Sequence, residues 1–153
     1  MNDRQCDLGT VGWLHDDWLG TFYPDDLPED WRLVYYNTQF SCVYLPSEMW
    51  EGRTENEIVT WLADVHEGFR FVVEAEDSYR DKIPVFDGRL GLALSPGMED
   101  AHLFFFDRLT DLRTLARELE QKVRSDASLF VISRDHDLAS LIKTRELLGI
   151  MGL

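Results

Sequence analysis

His15, Asp16 and Asp17 stand side by side within GWLHDDWLGTFYP, residues 12–24, and an imidazole next to two carboxylates can move protons or hold a cation. A second such set, Arg134-Asp135-His136, follows the apolar run SLFVIS at 128–133. Between them come Glu48, Glu74, Glu76 and Ser95, each close to the end of a short apolar run. Two chemistries are open to these groups. General acid–base catalysis would draw on His15, Asp17, Arg134 and His136, since imidazole titrates near neutral pH and a neighbouring carboxylate tunes it. A divalent metal such as Mn²⁺, Mg²⁺ or Zn²⁺ would draw on His15, Asp16, Glu74, Glu76 and His136, and could activate a bound water. The sequence has no HxxxH, HxH, HExxH, GxSxG, P-loop or GxGxxG spacing, which disfavours the common nucleotide-dependent and hydrolytic classes and implies no cofactor beyond such a metal. A plainer reading gives Asp16 and Asp17 to capping the turn before Trp18. Trp13, Trp18, Phe22 and Tyr23 each bury on the order of 150–250 Å², enough to clamp this loop against a strand and a helix without any ligand. Arg134 has two readings as well: it could take an anionic ligand bidentately, or neutralise Asp135 or Glu74.

These residues act together only if the fold converges them. LGTVGW (8–13) reads as a buried strand, FSCVYL (40–45) as a second stopped by Pro46, FRFVVEA (69–75) as a third and LGLALS (90–95) as a fourth closed by Pro96-Gly97. HLFFFD (102–107) fits either a strand or the buried start of a helix, and SLFVIS reads as a fully buried strand. Helical spacing joins Leu27, Trp31, Val34 and Tyr35, then Ile58, Trp61, Leu62 and Val65 behind a Thr54/Glu57 capping box. It continues in Leu109, Leu112, Leu115, Ala116, Leu119 and Val123, and in Leu138, Leu141, Ile142 and Leu148 after an Asp137 cap. EDSYRDK (76–82) reads as a flexible loop. Near-continuous apolar strands alternating with amphipathic helices predict an α/β fold with a mainly parallel sheet and flanking helices. In such a sheet ligands collect at the carboxyl ends of the strands, which would gather the ten residues named above onto one rim.

With 153 residues and 44% hydrophobic side chains, the chain suits one domain over 1–153. Fifteen basic against 29 acidic residues give a net charge of −14, which repels phosphate backbones and excludes direct nucleic-acid binding, while suiting solubility or a basic protein partner. Cys6 and Cys42 are far apart with no CxxC spacing, which points to a reducing, cytoplasmic setting. MNDRQCD lacks the regions of a signal peptide, and no apolar run approaches the length that spans a bilayer.

Three pieces of the N-terminal part, Gly9-Thr10-Val11-Gly12-Trp13, Trp18-Leu19-Gly20-Thr21-Phe22-Tyr23-Pro24 and Leu33-Val34-Tyr35-Tyr36-Asn37-Thr38-Gln39-Phe40, resemble in order and spacing the start of the DUF72 or YecE-like family. Beyond residue 46, FRFVV, LGLALSPG and FVISRDHD are similar to later strand segments of that family. The resemblance implies a TIM-like β/α barrel, and a chain of this length is too short to complete eight β/α units. It also marks departures. Val43-Tyr44-Leu45-Pro46 offers neither the carboxylate nor the asparagine of the family's second strand. Glu74 and Glu76 replace a lysine and a T-H pair, Ser95 a glutamine, and Ile132 or Ser133 a glutamate, leaving Arg134 and His136 as the retained strand-end groups. The expectation is a partial or truncated barrel acting as a non-catalytic binding domain, whose open sheet predicts a homo-oligomer or a protein partner at the edge near FSCVYL or at the HLFFF run. The alternative is a small metal-assisted or acid–base enzyme using the rim.

Overall fold

Short, near-continuous apolar runs form six strands: β1 (Cys6–Val11), β2 (Cys42–Leu45), β3 (Arg70–Glu74), β4 (Leu90–Leu94), β5 (Leu103–Phe106) and β6 (Leu129–Ser133). The structure, a computed structural model, describes residues 6–123 and 128–153; the first five residues of the segment read for targeting signals lie outside them. Every pairing is parallel, in the order β4-β3-β2-β1-β6-β5. First and last strands are therefore neighbours, as in a closed β/α barrel, but the sheet has six strands and opens between β4 and β5. It is a curled half-barrel, a partial TIM-like α/β fold. HLFFFD resolves as strand β5.

The helices α1 (Arg32–Tyr36), α2 (Ser47–Trp50), α3 (Glu55–Asp64), α4 (Leu112–Lys122) and α5 (Leu138–Met151) flank the sheet. β4 and β5, although at opposite edges, are joined by residues 95–102 alone, with no helix between them. Alternation divides the interior into two cores. Leu8, Val43, Leu45, Phe71, Val73 and Val131 point outward beneath the helices, while Cys42, Tyr44, Val72, Leu94, Leu103, Phe130 and Ile132 fill the concave side. The curl is tight enough that a Cβ on Gly91 of β4 would come within 2.7 Å of the Phe130 ring on β6. Cys6 and Cys42 are both buried, and burial pushes Cys6 up to about 12, so it is an inert core residue. Among the described residues no helix is long and apolar enough to cross a membrane.

Several expectations about faces are corrected. A three-residue 3-10 turn, Glu29–Trp31, precedes α1, and its tighter winding rotates the helix. Arg32, Leu33 and Tyr36 turn inward, Val34 and Tyr35 are half-buried, and Trp31 is 61% exposed. α4 starts only at Leu112, behind the Asp111 cap, which strands Leu109 in an exposed turn. α5 buries Leu141, Thr144 and Leu148 and leaves Ile142 outside. Residues 77–89, part of which reads as flexible loop, form 3-10 turns with Phe86 fully buried. FSCVYL is not an edge: β2 lies between β1 and β3. The Thr54/Glu57 capping box forms as expected, with Glu57 N–H donating to Thr54 Oγ1 at 3.2 Å.

One side chain ties the first two strands together. The buried Tyr36 hydroxyl accepts from Thr10 N–H at 2.8 Å and donates to the Cys42 carbonyl at 2.7 Å. Tyr36→Phe would leave both backbone groups unsatisfied in the core and should reduce stability by about 2 kcal/mol in urea unfolding. An unchanged midpoint would show that other groups replace the hydroxyl.

Candidate functional site

The loop after β1 folds back on the sheet through its aromatics. Trp18 is buried against Phe22, Tyr23, Tyr36 and Phe40, with ring centroids 5.0 to 6.3 Å apart. The Tyr23 hydroxyl donates to the Trp13 carbonyl at 2.7 Å, and Trp18 Nε1 donates to the His136 carbonyl at 2.9 Å. This fastening joins the loop after β1 to the loop after β6 and brings three of the candidate residues together. His15 and His136 stack with centroids 3.9 Å apart and planes 16° from parallel. His136 Nε2 lies 3.1 Å from Asp17 Oδ1, so a hydrogen on Nε2 bridges to the carboxylate. His136 adopts a left-handed φ of 45°, uncommon for a residue with a Cβ, which is how its ring reaches this stack. His15 is only 7% exposed, and its Nε2 faces the Gly12 carbonyl at 3.0 Å and Thr10 Oγ1 at 3.1 Å. A carbonyl only accepts, so Nε2 carries the proton of the neutral ring. Burial, reinforced by the His136 ring, lowers His15 to about 4. His15 is thus a neutral structural donor at pH 7. Asp17, Asp135, His136 and Arg108 border a cleft of about 490 Å³ beside the start of α5.

A larger cleft of about 680 Å³ opens at the mouth of the half-barrel. Its position follows from strand parity. Val11, Tyr44, Glu74 and Phe105 occupy inward positions near the carboxyl ends of β1, β2, β3 and β5, and Arg134 continues the inward alternation of β6. Met98, Glu99 and Asp100 from the β4–β5 connection and Glu118 and Lys122 from α4 line the same cleft. The Tyr44 hydroxyl donates to Glu74 Oε2, its ring meets Phe105 edge to face at 5.1 Å, and the Arg134 guanidinium lies over Phe105 at 3.9 Å from the ring centre. Burial and the Glu74 carboxylate push the Tyr44 phenol far above its ordinary value, so it acts as a hydrogen-bond donor. Arg134 forms no ion pair among the described residues, neither with Asp135 nor with Glu74.

The ten candidate residues thus divide. Glu48, Glu74 and Arg134 share the mouth; Asp17, Asp135 and His136 share the side cleft, where Asp135 accepts from Arg108 N–H at 3.0 Å. Asp16 pairs with the buried Arg32 at 2.9 Å, the Glu76 backbone N–H donates to Glu51, and Ser95 accepts from Arg80. Of the five residues considered for a metal, His15 and His136 meet while Asp16, Glu74 and Glu76 lie elsewhere, and among the described residues no three His, Cys, Asp or Glu side chains are grouped to hold one. Sequence reasoning missed Tyr44, Phe105 and Lys122. Parity with Cys42 and Leu103 would have found the first two; Lys122, on α4, carries no strand-end signal.

Residues 7–79 match the DUF72 family, described as a protein of unknown function. The DUF72 match runs from β1 into the turns after β3, beyond the 8–46 stretch on which the resemblance rests. A crystal structure of a DUF72 family protein from Thermotoga maritima is similar at 21% identity and a TM-score of 0.49, covering 98% of this chain and 63% of that one. The chain therefore spans about 63% of the length of that DUF72 protein. No curated protein matches.

Proposed function

We propose that this chain is a non-catalytic interaction domain that associates with a second copy of itself through the sheet edges β4 and β5. The observation that carries the reading is that a wholly parallel sheet stops at LGLAL on one side and LFFF on the other. Edge strands of monomers are ordinarily blunted by Lys, Pro or an inward charge. Neither edge holds any charged residue or proline. A parallel edge presents unpaired N–H and C=O groups, and a second copy supplies the same groups in a self-complementary, two-fold arrangement.

Charge gives the test its direction. Two copies at −14 repel, and salt screens that repulsion. Sedimentation velocity should show a dimer whose fraction grows between about 0.05 and 0.5 M salt, and Leu92→Lys in β4 should shift it to monomer. A strict monomer across that range overturns the proposal, as does a Leu92→Lys dimer of unchanged strength. The metal-assisted reading has its own check: thermal melting with Mn²⁺, Mg²⁺ or Zn²⁺, where a ligand specific for the native state raises Tm. An interaction domain predicts no rise with any of the three.

A further inference from the structure

The mouth cleft takes part of its wall from β5 but no residue from β4, and it carries a site of its own. Its two signs of charge are held apart. Arg134 on one side and Glu74 and Glu48 on another line one cleft without an ion pair among them. In a chain with nearly twice as many acids as bases, an arginine beside two glutamates would ordinarily be neutralised. Here Arg134 and Glu74 are instead each held by an aromatic residue. The Arg134 guanidinium carbon lies over the Phe105 ring at 3.9 Å, which anchors the group while it makes no ion pair among the described residues. Tyr44 braces Phe105 edge to face and, at its other end, fixes Glu74 through the hydroxyl. Glu74 Oε1 and both Glu48 oxygens remain available to accept. Between the charges the floor is apolar, from Val11, Leu103 and Phe105.

We infer that this cleft binds a short zwitterionic peptide, its terminal carboxylate on Arg134, its terminal ammonium at Glu74 and Glu48, and an apolar side chain on the floor between them. The span sets the length. Ring steps of 5.1 and 3.9 Å plus the reach of the Tyr44 phenol bound the separation of the charges. Two or three extended residues, at about 3.4 Å each, bridge it. Neither terminus alone satisfies the site, because a lone carboxylate faces the glutamates and a lone ammonium faces Arg134. A free phosphate meets five acidic side chains, Glu48, Glu74, Glu99, Asp100 and Glu118, against Arg134 and Lys122, so the arrangement also selects against simple anions.

Titration calorimetry with trileucine tests this directly. The free tripeptide should bind with a dissociation constant of about 1 mM or tighter. N-acetyl-trileucine, without the ammonium, and trileucine amide, without the carboxylate, should each bind at least about tenfold more weakly. Arg134→Gln should weaken the free peptide by a similar factor and leave the already weakened amide unaffected, while Glu74→Gln should do the same for the acetylated form. Because the blocked peptides are tested on the unaltered protein, the result does not depend on the variants folding. Failure of trileucine to bind at that concentration overturns the inference, and so does binding that is indifferent to which terminus is blocked. Leu92 does not line the cleft, so the same titration on Leu92→Lys separates this site from the β4 edge: peptide binding should persist whether or not self-association is lost.

Discussion

Trp18→Ala should lower the unfolding free energy by about 4 kcal/mol, the largest loss expected from any single truncation in the N-terminal loop. Trp18 is 1% exposed and touches rings from three segments: Phe22 and Tyr23 of its own loop, Tyr36 and Phe40 at and after α1, and His15 and His136 at the β1 and β6 loops. Removing the indole opens a cavity among groups pinned by their own hydrogen bonds and unable to collapse into it. It also orphans the His136 carbonyl, which accepts from Nε1. Trp31→Ala is the control, because Trp31 is exposed and its loss should stay within about 0.5 kcal/mol. Denaturant unfolding of both variants decides the matter. Similar small losses would mean that the aromatic loop is not the clamp described above.

Acidification should destabilise the protein through His15. Its folded value, about 4, lies below the ordinary 6.5, so the unfolded chain takes up the proton first as pH falls. Stability is therefore complete above about pH 6.5 and is lost progressively between 6.5 and 4. The difference corresponds to about 3 kcal/mol. His15→Gln keeps an N–H aimed at the Gly12 carbonyl but does not titrate, so its stability should be markedly flatter over this window than that of the unaltered chain. Urea midpoints measured at half-unit pH steps provide the comparison. Parallel pH profiles for the two proteins would remove His15 as the cause.

Strand periodicity made the fold legible. Each of the six strands falls on an apolar run visible in the sequence, and alternation of helices with those runs implied parallel pairing. The Thr54/Glu57 and Asp137 caps were legible because capping is local, needing only three residues of reach. Helix faces were not. Leu27, Trp31, Val34 and Tyr35 match a 3.6-residue repeat, but a single 3-10 turn before α1 rotated which of them meets the core, and no periodicity rule registers that offset. For the site, the strand-end rule placed Glu48, Glu74 and Arg134 correctly in one cleft. It also pulled in Asp16, Glu76 and Ser95, which are engaged by Arg32, Glu51 and Arg80 across tertiary distances that one-dimensional spacing does not encode. The role of His15 turned on its burial. A histidine between leucine and aspartate reads as solvent-facing, yet the clamp of Trp13, Trp18 and Tyr23 draws it inward.

The adjacency of β1 and β6 has a kinetic meaning. Cys6 pairs with Leu129 and Thr10 with Ser133, so a central seam of the sheet joins segments more than a hundred residues apart. During synthesis the sheet β4-β3-β2-β1 can pair on its own while β5 has no partner until the stretch around 129–133 leaves the ribosome, and insertion of β6 between β1 and β5 joins that lone strand to the sheet. β6 is thus a keystone, and the native sheet cannot be complete before that late segment has been made.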